Sequence, residues 1–116
     1  MKDVIHFYRV DDLEAVRRFY GEVLGLSLVK DQGVCLIYDC AGHGSIGFCT
    51  HHPKQRATDT CITFVYDTKE AVDAMHEKVK EHVKSVGEPT VNETFHIYHF
   101  FARDHAGLTL EFQVFL

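Results

Sequence analysis

Proline is scarce in this chain, two in 116 residues, and Lys and Arg (12) are outnumbered by Asp and Glu (17). A net charge of −5 with no clustered basic stretch argues against a nucleic-acid partner, which needs a concentrated positive surface. No apolar run reaches the length of a membrane span, so no membrane partner is expected. The opening, MKDVIHFYRVDD, turns acidic within a few residues and does not resemble a secretory leader. A cytoplasmic location is expected. Cys35, Cys40, Cys49 and Cys61 form no C-x-x-C pair and read as reduced thiols, not as a disulfide framework. His43, His51, His52, His76 and His82 fall in loop-like or amphipathic-helix patterns and read as solvated surface groups. What remains is 46% hydrophobic and 25% charged, the composition of one ordinary globular domain over residues 1–116.

The chain does contain an internal repeat. DDLEAV at Asp11–Val16 and DTKEAV at Asp67–Val72 share the pattern D-x-x-E-A-V. Each follows a run rich in β-branched and aromatic residues, DVIHFYRV and TCITFVY, which reads as a strand. Each opens a helix, with Asp11 or Asp67 as the cap and Glu14 or Glu70 reaching back from the first turn. The first helix carries Leu13, Val16, Phe19, Tyr20 and Val23 on one face and stops near Gly25. The second carries Val72, Met75, Val79 and Val83 and stops near Gly87. Three strand-like runs then follow in each half: LSLVK, GVCLIYDC and GSIGFCT, then TVNET, HIYHFFAR and LTLEFQVF. The expected fold is α+β: two tandem βαβββ modules, 1–50 and 59–116, joined by a loop at 51–58. Each helix covers one face of a mixed sheet and leaves the other free for a cup.

The residues that carry this pattern also resemble a known family. RVDDLEAVRRFYGEVLGL at Arg9–Leu26 is similar to the opening of the vicinal oxygen chelate superfamily, which includes glyoxalase I, bleomycin-resistance proteins and extradiol dioxygenases. FFARDHAGLTLEFQ at Phe100–Gln113 resembles its closing hairpin. The resemblance implies a glyoxalase/bleomycin resistance-like fold with a site in the cupped sheet. Many members hold a divalent metal there, which polarises neighbouring substrate oxygens. Carried over residue by residue, the four ligand positions fall at Ile5, Phe48, Cys61 and Glu111. Two are apolar, so a complete family-type metal site is not expected. A site occupied nonetheless would draw on Cys61, His99 and Glu111. His6 lies one residue from the ligand position and faces away from the cup unless a bulge shifts the strand.

Alternation along LTLEFQVF sets Thr109, Glu111 and Gln113 on one face, and the resemblance turns that face toward the cup. A tight hairpin at RDHAG would set His99 opposite Glu111 and Phe101 opposite Thr109. His99 and Glu111 then form a base with its orienting acid, or a structural hydrogen bond. Arg9 offers a guanidinium fork for a carboxylate, or a salt bridge at the strand end. With Ile5, Phe7, Phe48, Cys61, Phe101 and Thr109, these groups suit a small organic ligand, aromatic or anionic. Three functions are therefore compared: metal-poor binding of a small molecule, a metal-dependent lyase or dioxygenase, and a structural interaction module. The apolar sheet surface leads to the expectation of a two-fold homodimer, with the 51–58 loop bordering the pocket.

Overall fold

The repeat becomes two sheets, each with one helix. The computed structural model describes residues 1–53 and 60–116. The chain divides into two compact units, Met1–Gln55 and Arg56–Leu116.

The first unit starts with β1 (Ile5–Arg9), then α1 (Leu13–Val16), which runs on into a π-helical stretch (Arg17–Val23). β2 (Ser27–Asp31), β3 (Cys35–Asp39) and β4 (Ser45–Cys49) follow, and the sheet order is β1-β4-β3-β2. β1 pairs with β4 in parallel and the other ladders are antiparallel. Asp12, not Asp11, caps α1: its carboxylate accepts from the Ala15 N–H at 3.1 Å. The helical segment ends where Gly25 takes a positive φ of 73°, a conformation that costs glycine little. Val16, Phe19 and Tyr20 point into the core, where the Tyr20 ring lies 4.2 Å from that of Phe48.

The second unit repeats the order with one additional short strand, β6. β5 (Cys61–Val65) leads to α2 (Lys69–Val79), then β6 (Ser85–Val86), β7 (Thr90–Asn92), β8 (Ile97–Arg103) and β9 (Thr109–Phe115). The sheet order is β5-β9-β8-β6, with β7 also on β8, and β5 runs parallel to β9. Thr68, not Asp67, is the cap, its hydroxyl accepting from Ala71 N–H at 3.0 Å. Asp12 and Thr68 preserve the 56-residue spacing, so the repeat is real and the caps lie one residue beyond the aspartates expected.

α2 ends at Val79, well before Gly87, because the chain turns to form the short β6, whose Val86 pairs with Ala102. Val83 is therefore outside the helix, and buried His76 completes the face with Val72 and Val79. His76 is not a surface histidine: its ring meets Phe100 edge-on at 5.0 Å. Phe100 stacks in turn on Phe112, 4.8 Å away, as the centre of this unit's core.

One expectation about cysteine fails. Cys35 and Cys49 face each other across β3 and β4 and are bonded, S–S 2.15 Å, while Cys40 and Cys61 are free. The pairing depends on strand register, which residue spacing alone does not display. Among the described residues, no helix is long and apolar enough to cross a membrane. Of the connecting loop, 54–58 lie outside the described residues, and so does its expected place beside a pocket.

Candidate functional site on the second sheet

Strand pairing decides which side chains share a face. On the second sheet Cys61 opposes Thr109, Thr63 opposes Glu111, and Phe101 opposes Glu111 from the other side. His99 opposes Gln113. These residues lie on the face opposite to Phe100, Leu110 and Phe112, the side on which α2 packs.

The expected register is thus displaced by two residues: His99 lies diagonal to Glu111, and Phe101, not His99, is directly across from it. The loop after β8 is the cause. Asp104 is fully buried, and its carboxylate accepts from the Ala106 and Leu108 N–H groups, each at 2.9 Å. These bonds hold a loop wider than the tight hairpin expected, and Gly107 takes a positive φ, 82°. A shift of two leaves every side chain on its face.

His99 and Glu111 still meet. His99 Nδ1 lies 2.7 Å from Glu111 Oε2. The other carboxylate oxygen, Oε1, accepts from the Thr63 hydroxyl at 2.8 Å, and Thr63 Oγ1 lies 3.7 Å from Cys61 Sγ. The His99 side chain is 9% exposed and that of Glu111 13%. Phe101, 48% exposed, sets its ring edge-on to His99 with centroids 5.1 Å apart. Phe101, Arg103 and Thr109 also line a cavity of about 500 Å³ that runs along Ser85–Gly87. The Arg103 guanidinium donates to the Gly107 carbonyl at 3.1 Å. No expected residue list contained Thr63, whose hydroxyl orients the carboxylate; its place two residues past Cys61 on the same strand face was the available signal.

The family-type metal set needs four ligand positions, of which the second sheet holds two, Cys61 and Glu111. Both Glu111 oxygens already accept hydrogen bonds, and burial pushes the Cys61 thiol above its ordinary range. The Thr63 contact lowers it and the Glu111 charge raises it further, so Cys61 stays a neutral thiol at neutral pH.

The first unit separates its expected residues. β1 runs along β4 with no register shift, pairing Ile5 with Ser45, Phe7 with Gly47 and Arg9 with Cys49. His6 therefore stays on the opposite face from Ile5 and Phe7. Phe48 is on that opposite face too, fully buried between Tyr8, Tyr20 and Tyr38, and lines no cup with Phe7. The place of Phe48 among the ligand positions counts four residues past Gly44, as Glu111 lies four past Gly107. The hairpins closed by Asp39–Ser45 and Arg103–Thr109 are equally long, but Gly44 stands one residue before its closing partner and Gly107 two. The counterpart of Glu111 is Gly47, and a Cβ there would lie 2.3 Å from the Phe7 ring. Arg9 forms an ion pair with Asp11, N–O 2.9 Å, and also donates to the Val10 carbonyl.

The family model described as the Glyoxalase/Bleomycin resistance protein/Dioxygenase superfamily matches residues 4–112. Among solved structures, the protein ATC0852 from Agrobacterium tumefaciens superposes with a TM-score of 0.83 at 20% identity, covering 100% of this chain and 98% of that one. Lactoylglutathione lyase from the same organism gives 0.76 at 21% identity, over 96% of this chain and 91% of its own. A glyoxalase/bleomycin resistance protein/dioxygenase family enzyme from Burkholderia phytofirmans gives 0.78 at 18% identity, over 97% of both chains. At these identities the likeness is one of fold. No curated protein matches the sequence.

Proposed function

Because the chain belongs to the glyoxalase/bleomycin resistance/dioxygenase superfamily, we propose that it binds a small organic molecule, aromatic or anionic, on the open face of its second sheet. The observation that carries this reading is the His99–Glu111 contact of 2.7 Å beside the half-exposed Phe101 ring. Glu111 engages Nδ1 and fixes the imidazole plane, so Nε2 is the nitrogen that meets the polar end of a ligand. Phe101 supplies an aromatic surface against the ligand body, and Thr109 and Arg103 continue the lining. Ile5 and Phe7 lie on β1 of the first unit, where both are exposed. Arg9, also in the first unit, is engaged with Asp11.

The same contact favours a second reading, proton transfer. An imidazole held by a carboxylate is a general base with its orienting partner, which suits removal of an acidic C–H proton from a bound ligand. The metal-dependent lyase or dioxygenase reading ranks behind these, because two of its family-type ligand positions, Ile5 and the Glu111 counterpart Gly47, offer no side-chain donor.

Thermal denaturation against a panel of aromatic carboxylates and phenols tests binding. A ligand at one hundred times its Kd stabilises by about 2.7 kcal/mol, a shift of several degrees. The reading expects at least one such shift in the parent protein, lost in His99→Ala and in Phe101→Ala. A shift that survives both substitutions places the ligand elsewhere.

A further inference from the structure

Cys35, Cys49 and His51 present a second chemistry, wholly within the first unit and at residues other than the family's ligand positions. Their ligand atoms all lie within 4.8 Å of one another, the one such convergence of three donors among the described residues. We propose that, with the two cysteines reduced, this cluster binds a thiophilic divalent ion of the zinc class, and that disulfide formation abolishes the site.

The backbone fixes the two sulfurs. Cys35 and Cys49 are directly opposed on antiparallel strands, with Cα atoms 4.2 Å apart. The Thr50 N–H donates to the Val34 carbonyl at 3.0 Å, which marks the Cys pair as a non-hydrogen-bonded position, where facing side chains come closest. Both residues are buried, 3% and 0% exposed. A pair of thiolates there needs a cation, and a metal ion meets that need with geometry the strands already set.

His51 supplies the third donor. It lies two residues beyond Cys49, and its Nδ1 is 3.7 Å from Cys35 Sγ. The side chain is exposed, so an ion from solvent meets imidazole first and then the buried sulfurs. His52 packs edge-on against both His51 and Phe7, with centroids 4.5 and 5.6 Å away, which screens the flank of the site. Arg9, the residue paired with Cys49 on β1, directs its guanidinium to Asp11. Two thiolates and one imidazole leave a fourth tetrahedral position for water.

The chemistry balances simply. Two electrons and two protons from a dithiol reductant convert the disulfide to two thiols. The metal ion then displaces two thiol protons and forms two metal–sulfur bonds. In the oxidised chain the sulfurs are bonded to each other and neither is an anionic ligand.

Cobalt(II) is the probe, added to untagged protein carrying Cys40→Ser and Cys61→Ser so that only Cys35 and Cys49 remain as thiols. After anaerobic reduction, one cobalt per chain is expected, with thiolate-to-metal charge-transfer absorption and tetrahedral ligand-field bands that zinc bleaches. Oxidation to the disulfide should remove the bands. His51→Ala, an exposed and structurally mild change, should lose the tetrahedral spectrum while the thiol titre stays unchanged. Absence of charge transfer in the reduced protein, its persistence after oxidation, or an identical spectrum in His51→Ala overturns the proposal.

Discussion

At the scale of single residues, Glu111 is held from two sides, by Thr63 at 2.8 Å and by His99 at 2.7 Å. Single residues also carry a pH dependence. Burial pushes the Tyr66 phenol from an ordinary 10 up to about 12, and its ring stacks 6.4 Å from Phe112. A pKa raised in the folded state contributes stability that is present below the unfolded value and lost as pH climbs through the folded one. Urea midpoints should therefore fall as pH rises from 10 to 12. Tyr66→Phe should flatten that fall relative to the parent; an unchanged slope would show that Tyr66 is not the group responsible. What residue patterns could and could not reveal is clear here. Alternation along β9 correctly set Glu111 and Thr109 on one face, because side-chain period survives a register shift of two. It could not identify Thr63, whose role exists only once β5 pairs with β9.

At the scale of elements, the helix starts were legible to within one residue. The cap is chosen by which side chain reaches a free N–H, and Asp12 and Thr68 reach Ala15 and Ala71. Replacing either by alanine should cost about 1 kcal/mol, read from urea denaturation. Asp11→Ala and Asp67→Ala should cost clearly less, and equal losses would restore the aspartates as caps. Helix ends and hairpins were less legible. Gly87 looked like a stop signal but belongs to the segment around β6, its N–H bonded to the Phe101 carbonyl at 2.8 Å. Phe48 was misplaced because the two hairpin glycines hold different positions in loops of equal length. The disulfide escaped for the same reason, since cross-strand neighbours depend on register.

At the scale of the whole molecule, the repeat and the family-like opening and closing segments were sufficient to indicate the fold, and the family match over residues 4–112 agrees. Exposed apolar side chains bear on assembly. β1 and β5 are edge strands, and Ile5, Phe7, Val65, Phe101 and Phe115 are all exposed. We propose that a two-fold homodimer covers part of this surface. Light scattering at low micromolar concentration should give twice the 13.3 kDa chain mass, and a monomer mass that persists as concentration rises would contradict it. The central claim is that the face bearing His99, Glu111 and Phe101 is the ligand site. Its most direct test is a two-dimensional NMR titration of the parent protein with the aromatic carboxylate or phenol giving the largest thermal shift. The account predicts saturable shifts in the His99 imidazole and Phe101 ring signals, with the α2 face of the same sheet unmoved. Saturable shifts confined to other residues, with His99 and Phe101 silent, would contradict it.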